Sequence, residues 1–465
     1  MANLALWRRR VKDDLLGNPV VARTLRTSLI EAHCRQAGHQ WRDSFWSPST
    51  TMLAFLLQVL DGAKTLRAAV ALVLTQLAAR GETDLPSCDP SAFCQARQRL
   101  PLAVVKGLLR SVSDLLECRV PQDRRLWQHR VKVFDGSTAS MRDTPELQTD
   151  FPQPAGQKPG CGFPLIYFVA MFCWTTGAVL AVATGNLHTG ELALFRQLWD
   201  QLQAGDILLA DRAYSTYVDL ARLLQRGICG VVRMRSRRKS AAGFPEKHLG
   251  PDDRLVTWRR PRCWEPSFGL SREEFERLPE TMTMRLIRVT QVPPGFRSQS
   301  ITLATTLLDP VAYPADEVRA LYRDRWTAEL NFRSLKTHLG MDILHGESPD
   351  VVLKELHMHL LAYNLIRLVM WQAAQVHGAS LHRLSFTGTL HRLRAALPLL
   401  LYLSATGFVS QHTLALHVLA CVAQDRVPNR PDRLEPRRKK RRPKNYSLLQ
   451  QPRAWYRTHG ESGAA

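Results

Sequence analysis

No two of the nine cysteines, at 34, 88, 94, 118, 161, 173, 229, 263 and 421, form a CxxC pair, and no Cys/His spacing reads as a zinc site. That removes zinc fingers and CxxC redox chemistry from the candidates. The odd count and the lack of a secretory signal point to a reducing cytosol, with the cysteines as small core residues. There is no internal repeat. Acidic residues are scarce: 41 Asp and Glu stand against 63 Lys and Arg, giving a formal charge of +22 and a pI near 10.1. Such a surplus favours a polyanionic partner, nucleic acid being the commonest, although a merely basic surface gives the same count. Long uncharged runs are nearly missing too. Only FPLIYFVAMFCWTTGAVLAVATG, 163 to 185, is long enough to cross a bilayer. It is rich in Val, aromatics and Thr, and Thr175-Thr176-Gly177 interrupts it. Two buried strands joined by a turn are expected there, with no membrane span.

What is present is globular: 465 residues, 45% apolar and 22% charged, enough for two or three domains. Residues 1 to about 125 carry helical periodicity. In CDPSAFCQARQRL, Asp89 suits an N-cap and Pro90 the first helical position. The short helix that follows puts Phe93, Ala96 and Leu100 on one side and Ser91, Gln95 and Gln98 on the other, with Arg97 and Arg99 flanking. It reads equally as a recognition helix or as the solvated face of a bundle. From 130 the period changes. The order becomes strand, strand, strand, helix, strand, helix, strand, which suits a mixed sheet with helices on its faces. Residues 236 to 300 are rich in Pro and Arg with short alternating pieces, a β-rich insertion. ITLATTLLD, 301 to 309, returns to the main sheet or leads out of the insertion. Helices follow to about 424, and then a basic, Pro-bearing tail containing RRKKRRPK at 437 to 444.

Two aspartates stand out. Asp135 lies in or at the end of the first strand, in VKVFDGS, and Asp211 just past the fourth, in ILLADRAY. A carboxylate flanked by an apolar strand is costly to desolvate unless a cation pairs with it. An Arg or a metal would serve; the adjacent Arg212 points elsewhere if the strand continues. A third carboxylate comes from YRDRWTAELNFRSLK, 322 to 336, which reads as one helix. At about 100° per residue, Arg325, Glu329 and Lys336 fall within roughly 60° of Tyr322. Leu321, Phe332 and Leu335 lie beside that stripe and can pack. Three hard oxygen donors without His or Cys suit Mg²⁺ or Mn²⁺ rather than zinc. Arg325 and Lys336 would hold DNA phosphates beside the metal, and Tyr322 could donate a hydrogen bond or stack. Taken singly each has a plainer role. Asp135 could cap a turn and Asp211 a helix, while Glu329 could pair with Arg325 or Arg333 across one helical turn.

In combination these residues resemble bacterial insertion-sequence transposases of the Asp-Asp-Glu type, specifically the insertion-sequence-four family. Its marker, Tyr, two residues, Arg, three residues, Glu, six residues, Lys, is met by Tyr322, Arg325, Glu329 and Lys336. The DGS around Asp135 and the ADRAY around Asp211 resemble the family's two aspartate motifs. The match runs from about 130 to 345. The resemblance implies an α/β fold with a ribonuclease-H-like (retroviral-integrase-like) mixed-sheet core. It implies a helical N-terminal DNA-binding domain at 1 to 125, a catalytic core at 126 to 345 interrupted by the insertion at 236 to 300, a helical C-terminal region at 346 to 425 and a basic arm at 426 to 465. Asp135, Asp211 and Glu329 would bind two Mg²⁺, with Mn²⁺ able to substitute. Water would cut one strand at the transposon end, the freed 3′-hydroxyl would attack the other to form a hairpin, and the reopened end would join target DNA. In similar enzymes a tryptophan of the insertion stacks on the hairpin, and Trp258 and Trp264 are the candidates. Arg212 and Arg333 join the expected DNA contacts. The partners implied are double-stranded DNA, both ends and target, and a second copy of the chain, with no membrane and a cytoplasmic, nucleoid-associated location. The competing readings are a transposon-derived DNA-binding repressor, for which three converging carboxylates have no use, and a metal-dependent nuclease without strand transfer.

Overall fold

The protein is described by a computed structural model, which covers residues 25–62, 64–79, 81–118, 120, 126–235, 246–291, 299–406, 411–428 and 448–459. The basic run 437–444 lies outside the described residues. The strands are β1 (Arg130–Met141), β2 (Leu165–Cys173), β3 (Val179–Gly185), β4 (Asp206–Ala210), β5 (Cys229–Arg233), β6 (Lys247–Gly250), β7 (Asp253–Arg259), β8 (Thr281–Gln291), β9 (Gln299–Thr305) and β10 (Ile343–Leu344). The helices are α1 (Thr27–Gln36), α2 (Pro48–Leu60), α3 (Leu66–Ala79), α4 (Ser91–Arg99), α5 (Leu102–Cys118), α6 (Pro145–Asp150), α7 (Glu191–Gln197), α8 (Tyr217–Gln225), α9 (Arg272–Glu276), α10 (Ala315–Asp324), α11 (Trp326–Arg333), α12 (Pro349–Val376), α13 (Phe386–Thr406), α14 (Gln411–Gln424) and α15 (Arg453–His459). The chain divides into two compact units. One holds residues 1–119, 139–150 and 332–429, the other 120–138, 151–331 and 430–465.

The sheet runs β3-β2-β1-β4-β5-β9-β8-β7-β6, with β10 pairing the end of β1. β1, β4 and β5 are parallel, as their connections through α7 and α8 require, whereas β2 and β3 form an antiparallel hairpin. Apart from the short helix α6 between the first two strands, this is the expected order of three strands, helix, strand, helix, strand, in a mixed α/β arrangement. The uncharged run 163–185 is that hairpin: seven residues of β2, Ile166 and Phe168–Cys173, are buried, and the chain turns at Thr175-Thr176-Gly177. Among the described residues no helix is long and apolar enough to cross a membrane. β4, DILLA, is buried at every position, the pattern of a central parallel strand covered on both faces.

The insertion is continuous with this sheet. β9 pairs with β5 on one side and β8 on the other, so ITLATTLLD both returns to the main sheet and leads out of the insertion. The core on the α7/α8 face joins Phe134, Phe195 and Tyr214 to Trp258 and Met284 of the insertion strands. Two buried polar ties fix the covering helices. Arg196 of α7 grips both oxygens of the fully buried Asp219 of α8, at 2.8 and 3.1 Å, and the Thr216 hydroxyl caps α8 at the Asp219 amide.

In the other unit α12 is buried nearly all round its 28 residues, as a helix with neighbours on every side must be. α5, α14 and α2 pack on it. The expected cap of α4 is present one position early: Asp89 accepts from the Ser91 amide at 2.7 Å. Arg97, expected on a polar flank, is 6% exposed. Its guanidinium lies 4.2 Å from the Phe55 ring centroid and donates to Gln58 at 2.8 Å. On this helix Arg97 belongs to the core.

Candidate active site

Register brings the two aspartates together. β1 and β4 pair in parallel with Val133 opposite Leu209, so Asp135 and Asp211, each two residues further on, come out at the same level and on the same side. Both leave the buried part of their strand there. Asp135 follows four buried residues, and Asp211 follows Ala210 and caps the turn Arg212–Tyr214, its carboxylate accepting from the Ala213 amide at 2.6 Å. Asp135 accepts from the Gly136 amide at 3.0 Å. Both aspartates thus make the local caps that their plainer reading predicted, and each keeps lone pairs beyond those bonds.

The expected single helix at 322 to 336 is interrupted. α10 ends at Asp324, α11 begins at Trp326, and the last turn, Ser334–His338, is π-helical, with the Leu339 amide donating to the Ser334 carbonyl. The apolar side packs as expected, with Leu321, Phe332 and Leu335 all buried. On the polar side Arg325 sits at the junction. One guanidinium nitrogen is 3.9 Å from an Asp135 oxygen and another donates to Glu329 at 3.2 Å. Its carbon lies 6.0 Å from the Tyr322 ring centroid. Tyr322 is half-buried, and its hydroxyl is held above the usual phenol range by burial. Asp135, Asp211, Tyr322, Arg325 and Glu329 therefore share one electrostatic site. Lys336 lies in the π-turn of the helical unit. Burial pulls its ammonium pKa down while Asp342 pulls it up.

The Asp135 carboxyl is pushed up to about 6. Burial is the largest cause and the charges of Asp211 and Glu329 add to it, while Arg325 and the Gly136 amide pull the other way. Among the described residues no three His, Cys, Asp or Glu side chains already stand at metal-binding separation. Arg325, reaching both Asp135 and Glu329, supplies the positive charge that lets the carboxylates share this space. The donor chemistry nonetheless suits a hard divalent cation, since every candidate ligand is a carboxylate.

The remaining expected contacts separate by exposure. Arg212 and Arg333 are exposed. Trp264 is 37% exposed, its indole N–H donating to the Leu270 carbonyl at 2.9 Å. Trp258 is 1% exposed inside the core and cannot reach a base, which corrects its candidacy. Its alternation with Val256, also 1% exposed, was the available signal.

The sequence profile of the Transposase DDE domain matches residues 126–365, more than half of the 465. The chain belongs to this transposase family. It is 28% identical over 368 residues to the transposase InsG of insertion sequence element IS4 from Escherichia coli strain K12, covering 78% of each chain. That similarity supports the insertion-sequence-four type. A looser likeness is to the cryo-EM structure of the piggyBac transposase synaptic complex with hairpin DNA, at TM-score 0.39 and 10% identity, covering 91% of this chain and 87% of that one. The protein is thus a DNA transposase, and a DDE domain implies a divalent metal.

With Asp135 taken as a proposed ligand of that metal, acid should compete with it. Below pH about 6 the Asp135 carboxyl holds a proton and above it the carboxylate is free. We expect the metal concentration for half-maximal activity to rise about tenfold per pH unit below that point, and to level off above it. Metal titrations at pH 5, 6, 7 and 8 check this; a requirement flat across pH 5 to 7 would contradict it.

Proposed function

We propose that this transposase excises and reinserts an insertion sequence by cut-and-paste chemistry on double-stranded DNA, with Asp135, Asp211 and Glu329 as the acting carboxylates. The observation that carries the reading is the Arg325 guanidinium spanning Asp135 and Glu329 beside Asp211. The three residues would hold two Mg²⁺, with Mn²⁺ able to substitute. Once bound, the ions supply activation of the attacking oxygen and stabilisation of the leaving oxygen in an in-line phosphoryl displacement.

The chain's own groups do the rest. Arg325, its guanidinium shared between two carboxylates, releases part of that fork to a DNA phosphate and so aligns the scissile strand. Tyr322, protonated because burial disfavours its phenolate, donates a hydrogen bond beside it. Arg212, Arg333 and Lys336 take further phosphates, which position DNA without reading its sequence. Trp264 offers the exposed ring against which a base at the hairpin stacks. Nicking, hairpin formation by the freed 3′-hydroxyl, reopening and joining to target follow in that order. Two copies of the chain bridge the element's two ends.

The test is a labelled duplex carrying the element's own end, incubated with Mg²⁺ or EDTA and run on denaturing and native gels. A metal-dependent nick that precedes a hairpin supports the reading. Tight binding without cleavage in Mg²⁺ and Mn²⁺ would move the protein to the repressor class, and nicking that leaves an inert 3′-hydroxyl would make it a nuclease. A narrower expectation concerns Lys336→Ala. Removing one phosphate-binding cation should lower the slope of log affinity against log salt by about one. It should leave the metal requirement of cleavage unchanged, and a matching loss in both would make Lys336 part of the metal site.

A further inference from the structure

A fourth carboxylate stands behind the two aspartates. Glu191 opens α7, and its Oε1 accepts from the hydroxyl of Tyr214 at 2.7 Å. Tyr214 is fully buried, follows Asp211 by three residues, and packs edge-on against Phe195 with ring centroids 4.8 Å apart. The Tyr167 hydroxyl of β2 also hydrogen-bonds to Glu191. The same pair of oxygens presses on the residue after Asp135. A Cβ on Gly136 would come within 2.7 Å of Glu191 Oε1 and 2.8 Å of the Tyr167 hydroxyl. A Cβ there would have to displace those two side-chain ends, so the Gly of the DGS motif is what lets Glu191 and Tyr167 sit this close to the strand. One carboxylate therefore touches both aspartate-bearing segments: the backbone beside Asp135, and the turn that Asp211 caps. Each aspartate is itself anchored to that backbone, Asp135 to the Gly136 amide and Asp211 to the Ala213 amide.

We propose that Glu191 is a positioning residue, which, through Tyr214 and Tyr167, sets the relative placement of Asp135 and Asp211 for divalent-metal binding. The proposal rests on the reading that these two aspartates are metal ligands. The role proposed for Glu191 is exerted through these neighbours and not as a ligand itself. The oxygen that accepts from Tyr214, Oε1, is also the one nearest Gly136, so a single atom ties the turn after Asp211 to the backbone after Asp135. Loss of the charge loosens the pair of strand ends rather than the fold, because α7 remains tied to α8 through Arg196 and Asp219.

The experiment compares wild-type transposase, Glu191→Gln, Tyr214→Phe, the double variant and Asp135→Asn. Two readouts are taken: cleavage of the labelled end duplex across a Mg²⁺ titration, and the Ca²⁺- or Mn²⁺-dependent rise in melting temperature without DNA. Glu191→Gln is expected to need about tenfold more Mg²⁺ for half-maximal cleavage and to show a metal-induced thermal rise displaced by the same factor. DNA-end binding should stay unchanged. Tyr214→Phe should act in the same direction, and the double variant should be no worse than Glu191→Gln, as for two members of one unit. Tyr214→Phe keeps the test available if Glu191→Gln folds poorly. Wild-type metal dependence in both single variants, with normal melting, overturns the proposal and leaves Glu191 a structural group. Cleavage retained by Asp135→Asn overturns the underlying assignment of ligands instead, which the Glu191 variants alone would not do.

Discussion

Glu329→Gln should reduce strand cleavage at least about a thousandfold while leaving affinity for the element's end within about twofold. The two halves have different physical origins. Glutamine keeps the shape of glutamate and one acceptor oxygen, so the bond from Arg325, now 3.2 Å, can persist. The Glu329 side chain is 40% exposed, and a helical ion pair in that setting contributes little to stability. The fold and the DNA-facing cations should therefore be untouched. What disappears is a negative charge beside Asp135 and Asp211, which a hard divalent cation needs and which a neutral amide does not replace. Gel shifts and cleavage gels on the same preparation separate the effects. Cleavage at the normal rate would remove Glu329 from the acting set, and binding lost together with cleavage would make it a DNA contact.

Arg285→Ala should lower the stability of the sheet-containing unit by about 3–5 kcal/mol, the cost of stranding a buried charge. Arg285 is completely buried and grips both oxygens of Asp253 at 2.9 and 2.6 Å. Its remaining nitrogen donates to the Tyr313 carbonyl at 2.6 Å, in the loop that leads into α10. The residue thus ties the insertion strands to the entrance of the helix carrying Tyr322. Alanine leaves Asp253 and that carbonyl without their partner. Replacing both charges, with Arg285→Met and Asp253→Leu, should recover most of the loss, because the ion pair itself adds little beyond what apolar packing supplies. Urea unfolding followed by tryptophan fluorescence measures both. An Arg285→Ala midpoint equal to wild type would show that the pair carries no net stabilisation. Equal losses in the single and double variants would show that packing, not charge, decides the site.

Much of this was readable in the chain before any coordinates. The strand order followed from the change of period at 130, since alternation and buried runs are local signals. Asp135 and Asp211 were conspicuous because carboxylates rarely end strongly apolar strands without cause. Their register depends on β1 pairing β4, which the two buried strands suggested but could not fix. The break at Arg325 was not readable: Ala, Glu, Leu, Arg and Lys favour a continuous helix, and nothing in their spacing marks the break or the π-turn at Ser334–His338. Arg97 misled for a related reason. A guanidinium on a short polar helix looks solvated until Phe55 and Gln58, some forty residues earlier, enclose it. Glu191 was passed over because an acid in the first turn of a helix is ordinary, and its partners lie 23 and 24 residues away in the sequence. Non-local pairing of this kind leaves no spacing to count.

The central claim is that Asp135, Asp211 and Glu329 together hold the divalent metal. Crystals of the transposase grown with Mn²⁺, measured at the manganese absorption edge, test it most directly. The account predicts anomalous density bounded by the carboxylates of Asp135, Asp211 and Glu329, with the Arg325 guanidinium drawn away from at least one of them. Manganese density elsewhere in the chain, with the Arg325 bridge from Asp135 to Glu329 intact, would contradict it.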